Sequence, residues 1–224
     1  MDMPMGPYSV AMISGLPVAG MMQLPDETMP VFWGFYVTVS DVDATIEKAV
    51  ANGGVLIEPA FDIPGTGRMA VLQDPQGAVF SLIKYEESDE ALPPRKWDDN
   101  FQTHGAFSWF ELRVPDADAV ADFYSELFGW TYDRQEMAMG PYTMVNVGET
   151  GIGGLLSVDP KEMPPHWGAY VTVDDIDAFA VIVGAQGGKV LFPVQDVPGV
   201  GRMTMISDPQ GGIIAAMQYQ PMES

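Results

Sequence analysis

Few residues in this 224-residue chain are of a type and in a place to do chemistry, and the best placed is a glutamate. Glu111 lies in FSWFELRV (107–114), where alternate residues of an extended strand fall on opposite faces. Phe110, Leu112 and Val114 share one face, and Trp109, Glu111 and Arg113 share the other. A carboxylate on a largely apolar face is a candidate general base, because burial disfavours its charged form. Arg113 on the same face offers the alternative, an ion pair. The two histidines, His104 and His166, fall at strand boundaries, without metal-pair spacing or a Ser–His–acid arrangement. Cysteine is absent, which excludes thiolate nucleophiles, disulfides and cysteine-based metal sites. Asp62 with Arg68 and Asp196 with Arg202 flank the same PGxGR sequence. Each arginine could staple a long loop or hold an anionic ligand. The glycines of PGxGR precede a strand, not a helix, so they make no phosphate cradle.

The elements that would position these residues occur more than once. Residues 3–85 align with 137–219 at a constant offset of 134, with 32 identities over 83 positions. MGPY (5–8) returns at 139–142, WGFYVTVSDVDA (33–44) as WGAYVTVDDIDA (167–178), and PGTGRMAVLQDPQG (64–77) as PGVGRMTMISDPQG (198–211). At the offset, His166 matches Phe32, which argues against a shared histidine site. After the strand at 107–114, Asp116 is a predicted N-cap. The apolar residues Val120, Ala121, Tyr124, Leu127 and Phe128 follow at helical spacing, and Gly129 stands at the C-cap position. Strands are expected near 130–136, 142–147 and 152–158, with a turn at Gly140-Pro141. A strand over 167–175 then leads into a helix capped by Asp175 or Asp177, and strands near 189–195, 202–207 and 212–219 complete the pattern. Asp208-Pro209-Gln210-Gly211 is a four-residue turn.

The predicted fold is therefore α+β, with tandem βαβββ modules at 104–160 and 166–220 forming a complete domain over 104–224. The first domain, 1–88, holds one module (33–88) and a preceding strand pair (about 7–13 and 18–24). It lacks the counterpart of 104–136, so it is N-terminally incomplete. Residues 89–103, with Pro93-Pro94 and several charges, form a linker. Such a partial sheet would expose strand edges and an apolar face. Three outcomes follow: a truncated reading frame, packing on the complete domain, or homodimerisation through residues 1–88, which we expect.

Composition narrows the partners. Thirty-one acidic residues face ten basic ones, a net charge of −21, and the basic residues are scattered singly. Nucleic acid and anionic membrane surfaces are excluded as partners, since both need clustered Lys and Arg. No apolar run reaches the length of a membrane span, and no secretory signal follows Met1, so a cytoplasmic location is expected.

Two βαβββ modules in tandem, FELRVPDADAVADFYSELFGW (110–130), and PGVGRMTMISDPQG (198–211) together resemble the vicinal oxygen chelate superfamily of glyoxalases, bleomycin-resistance proteins and extradiol dioxygenases. The resemblance is strongest to its tandem-domain, glyoxalase-like branch. It implies mixed sheets curled into a cup that holds a metal ion or small molecule. The metal ligands of that family map here onto Trp109, Leu155 or Leu156, Gly168 and Ala215, and in the first copy onto Gly34 and Ser81. None of these is a donor of the kind a divalent ion needs there. No metal or other cofactor is expected, and metal-dependent glyoxalase or dioxygenase activity is not.

The expected function is binding of a small, partly apolar molecule in a metal-free cup, in the manner of the bleomycin-binding members. The cup-facing residues would be Trp109, Glu111, Arg113, Tyr170, Thr172, Ile213, Ala215 and Met217, with Arg202 reaching in if it is not a staple. A cup filled by its own side chains, giving a scaffold role, is the alternative for these positions. A metal-independent lyase or isomerase with Glu111 as base is the enzymatic alternative.

Overall fold

The computed structural model of the protein describes residues 2–3, 6–24, 26–86, 96–137 and 140–221. Much of the expected linker lies outside the described residues. Gly140-Pro141, where a turn was expected, open a strand instead.

Three βαβββ modules are present. The first is β4 (Tyr36–Thr38), α1 (Val42–Ala51), β5 (Val55–Ile63), β6 (Gly67–Gln73) and β7 (Val79–Tyr85). The second is β8 (Phe107–Val114), α2 (Ala117–Phe128), β9 (Thr131–Met137), β10 (Gly140–Val147) and β11 (Thr150–Ser157). The third is β12 (His166–Thr172), α3 (Ile176–Ala185), β13 (Lys189–Val197), β14 (Gly201–Ser207) and β15 (Ile213–Tyr219). Two earlier hairpin strands, β2 (Gly6–Ile13) and β3 (Leu16–Met22), follow the two-residue β1 (Asp2–Met3). In every module the last strand returns to pair parallel with the first, giving the spatial strand order first, fourth, third, second. The copies even share their irregularities: register slips after Leu56 and Glu58 recur after Val190 and Phe192, at the repeat offset.

Local chemistry accounts for the helix limits. Asp41, Asp116 and Asp175 each accept a backbone N–H of the first turn, satisfying donors that the helix leaves open. Gly129 ends α2 at φ 69°, a left-handed conformation that glycine adopts without a Cβ clash. Because Asp175 is drawn into the cap, β12 stops at Thr172, short of the expected 175. One element was not foreseen: residues Trp97–Gln102, read as linker, form a 3-10 helix.

The chain divides into two compact units that cut across the sequence copies. In one, residues 34–86 join 109–168; in the other, the strands before 34 join 96–108 and 169–221. The first unit packs α1 and α2 into a common core. Val42 and Ala49 of α1 are buried with Val120, Tyr124 and Leu127 of α2, Leu112 and Val114 of β8, and Leu72, Phe80 and Leu82 of the first module. Of the three outcomes open for the incomplete copy, its module's apolar helix side is thus covered within the chain. Aromatic rings dominate this core, with Tyr124 stacked on Trp130 at 5.5 Å and Phe35 on Trp167 at 4.2 Å. In the second unit, Ile176, Val173 and Ala216 pack beneath α3, and Val183, Ile206 and Ile214 with Trp33 and Phe107 extend that layer. Among the described residues, no helix is long and apolar enough to cross a membrane.

Candidate functional site

On β8, Phe110, Leu112 and Val114 enter the core with α2, which turns Trp109, Glu111 and Arg113 to the opposite face. On that face the structure builds a continuous polar chain. Trp109 donates its indole N–H to the Tyr142 hydroxyl (2.8 Å), and Tyr142 donates to Glu111 Oε2 (3.1 Å). Glu111 Oε1 pairs with Arg113 Nη2. Arg113 Nη1 lies 3.4 Å from His166 Nε2, and His166 Nδ1 lies 2.7 Å from the Pro164 carbonyl. A carbonyl can only accept, so Nδ1 carries the proton and Nε2 presents its lone pair to the guanidinium. Burial lowers the basicity of His166; Arg113 lowers it further, against the Pro164 bond and Glu111, which act the other way. The imidazole is therefore neutral near pH 7.

Glu111 and Arg113 are each only 6% exposed. A buried charge is tolerated when it is paired and hydrogen-bonded, and here each charge finds the other. Two glycines shape the face. A Cβ at Gly154 would collide with the Tyr142 hydroxyl, so the tyrosine ring can cross the neighbouring strand only because that position is bare. The first copy repeats this arrangement, with Tyr8 over Gly20. A Cβ at Gly168 would lie 2.9 Å from Arg113 Nη1.

The other expected site residues are placed differently. In their own unit, Tyr170 is paired in register with Ala215 and Thr172 with Met217, and all four are buried. That face carries the 3-10 helix: Thr172 Oγ1 donates to the Asn100 carbonyl (2.7 Å), and Phe101 meets Tyr219 edge-on at 4.9 Å. The Tyr219 hydroxyl is 2.9 Å from Ser108, and burial pushes its pKa up to about 12. Ile213 is exposed. Arg202 is engaged elsewhere, bound through both terminal nitrogens to Asp177 (2.6 and 3.1 Å) and near Asp196 (3.4 Å). Arg68 makes the same contacts with Asp43 and Asp62, all at 2.9 Å. Both arginines therefore tie the strand hairpin to the first turn of a helix, a staple that includes one more aspartate than the sequence suggested. His104 is exposed beside Asp174.

A divalent ion does not fit this donor set. Trp109 and Gly168 offer no lone pair, and the donors one pleat further along, Glu111 and His166, both face Arg113. Among the described residues, no three His, Asp or Glu side chains gather. Sequence reasoning placed Gly168 at a ligand position but passed over Tyr142, for which the repeated MGPY was the available signal.

A strand order repeated in three modules and a strand face bearing a small polar set define a vicinal oxygen chelate fold. The sequence model of the Glyoxalase/Bleomycin resistance protein/Dioxygenase superfamily matches residues 1–82 and 106–215, and the chain belongs to that superfamily. It is 35% identical over 222 residues to a Mycobacterium bovis protein that carries the provisional name glyoxylase CFP32, covering 97% of this chain and 82% of that one. It is 34% identical over 193 residues to the anthracycline biosynthesis protein DnrV of Streptomyces peucetius, covering 86% of this chain and 67% of that one. Among solved structures, the Mn(II)-bound glyoxalase of Novosphingobium aromaticivorans aligns with a TM-score of 0.56 at 15% identity, covering 82% of this chain and 62% of that one. The 2,3-dioxygenase LapB of Pseudomonas sp. KL28 aligns at 0.55 with 14% identity, over 85% and 75% of the two chains. At such identities the likeness is one of fold.

Proposed function

We propose that the protein binds a small, uncharged, partly aromatic molecule against the face formed by Trp109, Glu111, Arg113 and Tyr142, without a metal ion, and does so in the cytoplasm. The observation that supports this is the internal pairing of Glu111 with Arg113. With the two buried charges matched, an ionic ligand would be desolvated without a counter-charge, whereas a neutral one gains from the indole and phenol rings beside it. One relative is named for anthracycline biosynthesis, and anthracyclines contain fused aromatic rings, which supports the aromatic part of this reading. The pairing also speaks against the enzymatic reading. A carboxylate held by a guanidinium and a tyrosine hydroxyl is committed to structure more than to proton abstraction.

The test is titration with a neutral planar probe, 1,4-dihydroxyanthraquinone, followed by calorimetry in the presence of a chelator. Saturable binding is expected, weakened about tenfold or more by Trp109→Ala, the loss of one buried aromatic anchor. Glu111→Gln keeps a side-chain oxygen of the same size as hydrogen-bond acceptor and leaves the two rings in place, so binding should stay within a few-fold. Absence of binding, or binding that requires an added divalent ion, would refute the proposal. Turnover abolished by Glu111→Gln would establish the lyase or isomerase reading instead.

A further inference from the structure

We propose that the guanidinium of Arg113 is the resident cation of this face, standing where a divalent ion would otherwise be held. This rests on the metal-free reading above and makes it more specific. Two features carry it.

The first is Gly168. Its backbone is not in the left-handed region, so conformation does not demand a glycine there. The room is used instead by the end of the Arg113 side chain: a Cβ would come within 2.9 Å of Nη1, and the guanidinium would have to shift. Gly168 falls where the superfamily resemblance places a metal ligand, so the missing side chain is matched by an arginine head that uses the room. The second is the disposition of Glu111 and His166. They are the carboxylate and the imidazole of this face, donors suited to a divalent ion, and both are turned to the guanidinium, Glu111 at Nη2 and His166 at Nη1. A metal ion would have to displace a buried cation already holding its ligands.

Manganese(II) chloride, titrated into the full chain by calorimetry, separates this from a merely structural pair and needs no knowledge of the ligand. Wild type and Arg113→Lys, which keep a cation, should bind no Mn(II). Arg113→Met, similar in size but uncharged, frees Glu111 and His166 and should bind Mn(II) at least about tenfold more tightly than wild type. Adding Glu111→Gln or His166→Ala should abolish that gain. Gly168→His reaches the same end with the arginine retained, by pushing the guanidinium aside and adding an imidazole; it covers the case in which Arg113→Met does not fold. Mn(II) binding to wild type comparable to that of Arg113→Met would overturn the inference, as would failure of every folded variant to gain binding. A negative anthraquinone titration with a positive Mn(II) gain would instead sink the ligand class while sparing the role of Arg113.

Discussion

Two buried carboxylates make opposite bargains with their surroundings. Glu111 is paired with a guanidinium, whereas no cation among the described residues stands beside Asp74, which is 2% exposed. It accepts from the Tyr124 hydroxyl (3.0 Å) and from the backbone of Gln76 (2.8 Å) and Ala78 (3.0 Å). Burial nevertheless dominates and raises its pKa. A carboxyl with a raised folded-state pKa contributes stability that is complete below its unfolded value near 3.8 and is lost as pH climbs through the folded value. Asp74→Asn should therefore flatten the decline in urea midpoint between acid and neutral pH; an unchanged slope would contradict this. Asp74→Ala strips Tyr124 and two turn amides of their acceptor and should cost about 2–4 kcal/mol in urea unfolding. Tyr142→Phe removes both an acceptor from Trp109 and a donor to Glu111, and we expect a loss of about 1–2 kcal/mol with the fold intact. At this scale the sequence was partly legible. Period two in FSWFELRV put Trp109, Glu111 and Arg113 together, because alternation is a local rule. The Tyr142 bridge, 31 residues away across strands, obeys no local rule.

Among the elements, the helices repay comparison with their repeats. Glu47 and Lys48 on α1 correspond, at the offset of 134, to Val181 and Ile182 on α3. These are 72% and 57% exposed. Since they bury little, replacing them should leave stability within about 0.5 kcal/mol. Val181→Glu with Ile182→Lys, which copies the first repeat, should raise solubility in ammonium sulfate precipitation without lowering the melting temperature. A lower melting temperature would mean that these side chains are covered after all. Caps and the succession of helices and strands along the chain were readable, since each follows from short-range residue patterns. The helix at Trp97–Gln102 was not: a six-residue 3-10 turn in a polar stretch has no apolar period to reveal it. Why β12 ends early is also clear only afterwards, because two aspartates competed for one cap.

For the whole molecule, the sequence offset and the compact units give different divisions. Repetition reports ancestry, whereas packing reports which apolar faces meet, and the second cannot be read from the first. Homodimerisation through 1–88 was expected because the incomplete copy should bare an apolar face. The helix side of its module is covered by α2 within the chain, so that motive is weakened, and dimerisation stands as a proposal for sedimentation to decide.

The Asp74–Tyr124–Trp167 relay has a further consequence. Its carboxylate comes from one repeat and its two rings from the other, joined at 3.0 and 2.9 Å in a region closed to solvent. Cutting the gene at the repeat junction would hand each half a bare aromatic slab and a stranded polar group. The halves should be insoluble apart and recover only when produced together. Duplication here has thus led to mutual dependence, and recombination could not trade one repeat for a foreign one without carrying the other along.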